Sequence, residues 1–96
     1  MTINTTENGT EIIVAVEGSL DTVTSPELDA ALASLYEKAS RIVLDLKELI
    51  YTSSAGLRVI LKAHKTMKGK FAIRNATEDV MEVFDVTGFT DILTFE

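Results

Sequence analysis

The sequence predicts an α/β fold: a small mixed β-sheet, made of a β-hairpin plus βαβ units and packed with about three to four helices. Three observations lead there. Two short runs, "IIVAV" (residues 12–16) and "RIVLDL" (residues 41–46), are almost continuously aliphatic and β-branched, the pattern of strands buried in a sheet. Segments with helical spacing lie between and after these runs, so that strand, helix and strand alternate in right-handed βαβ units. An Asn8-Gly9 step between two β-rich arms marks a hairpin at the start of the chain.

The elements run in order along the chain. "TINTTENGTEIIVAVEG" reads as the hairpin, with Asn8-Gly9 suited to a type I′ turn and Ile12 to Val16 as a strand covered on both faces. Ser25-Pro26-Glu27 marks a helix start, with Ser25 as N-cap and Pro26 at the first helical position. Asp29 suits the positive helix N-terminus, and Lys38 and Arg41 suit its negative end. Leu28, Ala31, Leu32, Leu35 and Ala39 supply the apolar stripe. After "RIVLDL", the segment "KELIYTS" reads as a loop into a second helix from about Ser54 to Met67, whose stripe is Leu57, Ile60, Leu61, His64 and Met67. Gly69 is the stop signal. "FAIRN" is a short core strand. Thr77 caps a third helix with Val80, Val83 and Phe84 inward, and Gly88 ends it. "FTDILTFE" holds a last helical turn and a short edge strand.

Length and composition narrow the function classes. The 96 residues support one domain, residues 1–96. The apolar share of 46% and charged share of 25% are those of a folded globular chain. With no cysteine and one histidine, disulfide scaffolds, thiol catalysis and cysteine-ligated zinc drop out, and no metal or other cofactor is expected. A net charge of −6 repels phosphate backbones, so no direct nucleic-acid partner is expected. The N-terminus has neither the basic segment nor the apolar core of a signal peptide, and no apolar run approaches the roughly 20 residues of a membrane-spanning helix. The expected address is the cytoplasm, without a membrane partner.

The chemistry-bearing stretch is "IYTSSAGLRVIL", residues 50–61. A serine nucleophile needs a base within hydrogen-bond reach. The single histidine, His64, lies ten residues beyond Ser54 on the same predicted helix, about 15 Å away along its axis. The stretch is neither G-x-S-x-G nor a phosphate-binding P-loop. Catalysis is therefore not expected, and His64 reads as a half-buried core or groove residue. Ser53 and Ser54 read locally as N-caps, worth about 1 kcal/mol. A helix needs only one cap, and Gly56 in the first turn costs about 1 kcal/mol relative to alanine. That glycine suggests a bare backbone held for close approach by another molecule.

The stretch "DLKELIYTSSAGLRVILKAHK" resembles the signature of STAS-domain proteins, in particular the stand-alone bacterial anti-sigma factor antagonists. "VEGSLDTVTSPEL" is similar to the family's Gly-x-Leu/Ile-Asp segment and first helix, "VLDLKEL" to its third strand and exit, and "VFDVTGFTDILTF" to its Phe-Asp-x-x-Gly-Leu ending. The resemblance runs through nearly the whole chain in order. It implies partner switching: the unmodified protein binds an anti-sigma factor that is also a serine protein kinase, phosphorylation ends the binding, and a PP2C-type phosphatase resets it. Aligned on Gly56-Leu57, the family's Asp-Ser-x-Gly-Leu acceptor falls on Ser54 and its aspartate on Ser53, which leaves Ser53 as a second candidate acceptor. Arg58 stands where many members have glycine. Asp21 matches an aspartate that the family keeps near the phosphosite; read locally, it is a turn carboxylate. The resemblance thus implies phosphorylation at Ser54 and a partner-binding surface of Asp21, Ser53, Gly56, Leu57 and Arg58. A STAS module that binds a partner or small ligand constitutively, without phosphorylation, is the second reading.

Overall fold

The computed structural model describes residues 1–96. The chain opens with strands β1 (Thr2–Asn8) and β2 (Glu11–Leu20), paired antiparallel with Asn8 opposite Glu11. The connecting loop is therefore Gly9-Thr10, one residue later than the Asn8-Gly9 turn expected from sequence. Among these residues only Gly9 has positive φ, +68°, the pattern of a type II′ turn rather than I′.

Helix α1 (Ser25–Ala33) follows, then strands β3 (Arg41–Asp45) and β4 (Leu49–Thr52), helix α2 (Ser54–Thr66), strand β5 (Phe71–Arg74), helix α3 (Glu78–Thr87) and a 3₁₀ turn at Phe89–Asp91. The sheet order is β1-β2-β3-β5, with β2 parallel to β3 and β3 parallel to β5. The C-terminus adds a parallel bridge between Ile73 and Phe95 beside β5, where a short edge strand was expected.

The first half of β2 pairs with β3, and its second half (Gly18–Leu20) pairs with β4. The register shifts between Gly18 and Ser19, and Gly18 adopts φ +100°, a conformation that side chains disfavour. This irregularity lets one strand serve two parallel partners. It also carries Leu20 to the end of the sheet from which α2 departs.

One core unites alternate sheet residues with all three helices. Ile12, Val14 and Val16 of β2, Ile42 and Leu44 of β3, and Phe71 and Ile73 of β5 join Leu28 and Leu32 of α1, Leu57, Ile60 and Ala63 of α2, and Val80 and Phe84 of α3. Burying each such aliphatic side chain contributes about 1.5–3 kcal/mol. Phe84 meets Phe95 edge-on, with ring centroids 5.5 Å apart.

Several local expectations shift. Residues 47–53, read as a loop, contain β4, a four-residue strand. β2 is covered on one face: Ile13 and Ala15 are only half-buried, because the helices lie over the other side. The N-cap of α1 is Thr24; Ser25 is the first helical residue, is buried, and donates its hydroxyl proton to the Asp21 carbonyl. The α1 helix stops at Ala33, so Lys38 and Arg41 are not its terminal cations. Lys38 pairs with Glu7 instead. Arg41 sits on β3 between Glu11 and Glu96, whose hydrogen bonds raise its pKa further. Asp29 forms an ion pair with Lys62 across the α1–α2 contact. The buried stripe of α2 runs through Gly56, Leu57, Ile60 and Ala63, leaving Leu61 and His64 half-buried beside it.

Candidate functional site at the start of helix α2

The site is built where β2 and β4 leave the sheet together. Thr52 is in register with Leu20, and the Ser53 N–H donates to the Leu20 carbonyl at 2.8 Å. Asp21, which follows Leu20, and Ser53, which follows Thr52, therefore emerge side by side. Residues that are 32 positions apart in sequence share one corner of the molecule.

The two serines divide their tasks. Ser53 has extended backbone (φ −96°, ψ 175°), and its Oγ accepts the Gly56 N–H at 3.3 Å. Its carbonyl accepts the Leu57 N–H at 3.0 Å. Ser53 is thus the N-cap, and its hydroxyl serves the helix. Ser54 is the first residue of α2 and is exposed. Its hydroxyl stands in solvent at the positive end of a thirteen-residue helix whose first turn holds no acidic residue.

Gly56 answers to packing inside the protein. A β-carbon at this position would lie 2.6 Å from both Leu20 Cγ and Thr52 Oγ1. The bare backbone lets α2 settle directly on the strands that carry the site, so the close approach expected from sequence is made by this chain's own β2 and β4. Gly56 and Leu57 are both buried. Their part is to seat the helix rather than to present a surface. Arg58 is exposed one turn beyond Ser54 and takes part in no ion pair.

Asp21 acts as the turn carboxylate. Its Oδ1 accepts the N–H groups of Val23 and Thr24, each at 2.9 Å, while Thr24 Oγ1 accepts the Asp21 N–H at 2.9 Å. This reciprocal pair resembles a capping box and locks the loop ahead of α1. The Thr24 backbone N–H is the main reason that the Asp21 carboxyl titrates below its ordinary value; bonds from the Thr24 hydroxyl and the Val23 N–H add to it, against a smaller opposing effect of desolvation. The carboxylate is thus engaged within its own loop.

His64 lies ten residues along α2 from Ser54, about 15 Å away along the axis. No base therefore reaches the Ser54 hydroxyl from this helix. The His64 Nδ1 is buried without a hydrogen-bond partner.

Sequence reasoning missed three residues. Val23 is 86% exposed, Ile50 73% and Tyr51 52%, although each is a large apolar or aromatic side chain. Val23 lies in the Asp21 loop, and Ile50 and Tyr51 lie on β4 just before Ser53. All three lie on the two segments that lead into or out of this corner. The signal was the run "LIYT", in which Ile50, Tyr51 and Thr52 have strong β propensity and merited a strand.

The STAS domain family profile matches residues 2–96. The chain is a STAS domain protein. Among its relatives, a Bordetella bronchiseptica protein named as an anti-sigma factor antagonist, BtrV, is 36% identical over 85 residues, covering 84% of this chain and 73% of its own. The anti-sigma-B factor antagonist of Bacillus subtilis is 30% identical over 94 residues, covering 95% and 86%. This STAS protein therefore belongs with the anti-sigma factor antagonists. Solved structures agree on the fold. An anti-sigma factor antagonist from Mycobacterium paratuberculosis superposes with a TM-score of 0.89 at 20% identity, over 98% of this chain and 83% of its own. Phosphorylated SpoIIAA of Bacillus superposes with a TM-score of 0.76 at 13% identity, over 99% and 91%. No helix of the STAS protein is long and apolar enough to cross a membrane.

Proposed function

We propose that this STAS protein is a cytoplasmic, non-catalytic partner switch. Unmodified, it binds an anti-sigma factor that is also a serine protein kinase, and so releases a sigma factor. Phosphorylation of Ser54 ends that binding, and a PP2C-type phosphatase restores it. The observation that carries this reading is the division between the serines: Ser53 is consumed as the helix cap, and Ser54 stands exposed at a helix N-terminus free of acidic residues. The relatives named anti-sigma factor antagonists, and a fold neighbour described in a phosphorylated form, support the same assignment.

The electrostatics fit a local switch. A phosphoserine adds about −1.5 to −2 charges at pH 7. At the start of α2 that charge meets the helix dipole favourably, so the fold survives modification. On the docking surface formed by Asp21, Val23, Tyr51, Ser53 and Arg58, the same charge must be desolvated against the partner. A penalty of about 4 kcal/mol weakens binding roughly a thousandfold. No large conformational change is needed.

The test is phosphorylation by the cognate kinase with ATP, read by intact mass and by calorimetric binding. Wild type gains one phosphate and loses kinase binding; Ser54→Ala gains none and keeps binding. Ser54→Asp mimics the loss of binding, whereas a constitutive STAS module would tolerate it. Equal modification of Ser54→Ala at Ser53 would overturn the site assignment.

A further inference from the structure

The charge of this molecule is distributed unevenly. Residues 1–74 hold nine acidic and nine basic side chains, whereas residues 75–96 hold six acidic and no Lys or Arg. The whole net charge of −6 therefore sits in the segment that forms α3 and the C-terminal turn. Within α3, Glu78, Asp79, Glu82 and Asp85 are exposed, and none enters an ion pair.

Helix stability accounts for only half of these carboxylates. Glu78 and Asp79 lie in the first turn, where negative charge complements the dipole. Glu82 follows Glu78 by four residues and Asp79 by three, and Asp85 follows Glu82 by three; these like-charge spacings oppose the helix. Asp85 also lies near the negative C-terminal end. Among these charges Val86 is 81% exposed, and it shares one helix face with Asp79, Glu82, Val83 and Thr87. Val80 and Phe84, on the opposite side of the helix, already anchor it in the core. The outward valine is therefore not needed for folding.

An apolar strip rimmed by unpaired carboxylates fits a cationic amphipathic segment, whose aliphatic side chains cover the strip while its Lys or Arg side chains meet the rim. The alternatives fit less well. Nucleic acids and anionic membranes carry the wrong charge. No three acidic side chains converge to hold a metal ion. A second copy of this chain carries the same net charge of −6, so its approach to this acidic face is opposed by repulsion.

We infer that the outer face of α3, centred on Val86 beside Glu82 and Asp85, is a second docking surface that binds a cationic amphipathic segment of a protein partner. It lies on a different element from Ser54 and does not depend on the phosphorylation state, so the STAS protein can be held by one partner while α2 exchanges another.

The test uses the full chain and, as probe, a fluorescein-labelled Leu/Lys peptide with amphipathic helical spacing. Binding is read by fluorescence anisotropy and mapped by amide chemical shifts. Shifts concentrate on residues 78–88, and Val86→Ser and the pair Glu82→Gln/Asp85→Asn each weaken binding by about tenfold, a 1.4 kcal/mol change. Ser54→Asp leaves the affinity unchanged, which separates this surface from the switch. Thermal melts of the α3 variants verify that these exposed substitutions fold. The proposal is overturned if shifts scatter over the whole surface, if Val86→Ser binds like wild type, or if a Lys-Gly-Ser peptide without leucine binds equally well. Self-association of the protein alone that is abolished by the same α3 variants would also overturn it, by assigning the face to a second copy.

Discussion

Helices α2 and α3 carry equivalent caps but differ in the first turn beyond them. Ser53 caps α2 by accepting the Gly56 N–H at 3.3 Å, and Thr77 caps α3 by accepting the Val80 N–H at 3.3 Å. Both caps have extended backbone. The first turn of α3 then carries Glu78 and Asp79, which complement its dipole at once. The first turn of α2 carries Ser54, Ala55 and Gly56, with no charge. Equal caps thus leave two unequal electrostatic sites. One already holds its negative charge, and the other has a hydroxyl where a negative charge would be welcome. On the proposed reading, Ser54 suits modification because another residue supplies the cap and the first turn is left without charge.

The largest disturbance of this arrangement comes from Gly56. Gly56→Ala forces a β-carbon against Leu20 and Thr52, and overpacking of this kind costs about 1–3 kcal/mol even though alanine favours helix. Urea unfolding should show the loss, with binding of the proposed partner reduced as α2 shifts off the strands. Full retention of stability would mean that the contact relaxes without cost.

The caps come next. Ser53→Ala and Thr77→Ala should each cost about 1 kcal/mol by the same measurement, since each removes the acceptor of one first-turn amide. A cost confined to Thr77→Ala would show that the Ser53 hydroxyl is free for modification, and would restore it as an acceptor. Smaller effects separate the two dipoles. Ser54→Asp should stabilise the isolated protein by about 0.3–1 kcal/mol, and Glu78→Gln should destabilise it by a similar amount. Both effects should shrink in high salt, where surface charges are screened within a few ångströms. A destabilising Ser54→Asp would mean that the α2 terminus does not favour negative charge.

The smallest effect concerns Asp21. Its carboxyl is held below the ordinary value, so its contribution to stability is present above the unfolded-state pKa of about 3.9 and is lost as pH falls through the lower folded value. Acid unfolding of wild type should include this step. Asp21→Asn should lack it and should be slightly less stable than wild type at neutral pH. Identical acid limbs would remove the Val23 and Thr24 amides as the source of the shift.

Much of this was legible in the chain itself. Periodicity located all three helices, and the apolar runs located β2, β3 and β5, because burial against one core imposes spacing on the sequence. Thr77 and Gly88 marked the ends of α3 because a cap and a left-handed stop are properties of single residues. The motif around Gly56-Leu57 pointed to Ser54 and Ser53 together. What periodicity missed was β4, four residues with Leu49 and Thr52 buried and Ile50 and Tyr51 exposed between them, a pattern without the period-two alternation of a strand.

The remaining decisions were tertiary. Local sequence allowed either serine to cap α2; the pairing of β4 with β2, which ties the Ser53 N–H to the Leu20 carbonyl, set the helix start one residue beyond Ser53 and left Ser54 outside. Local sequence marked Gly56 only as a weak helix former, whereas its reason lies in Leu20 and Thr52, which reach it across the fold. Asp21 and Ser53 became neighbours through strand register alone. Residue type and spacing determine which elements form, since those depend on neighbours along the chain. Which hydroxyl faces solvent depends on contacts between distant segments, and these exist only once the sheet has assembled.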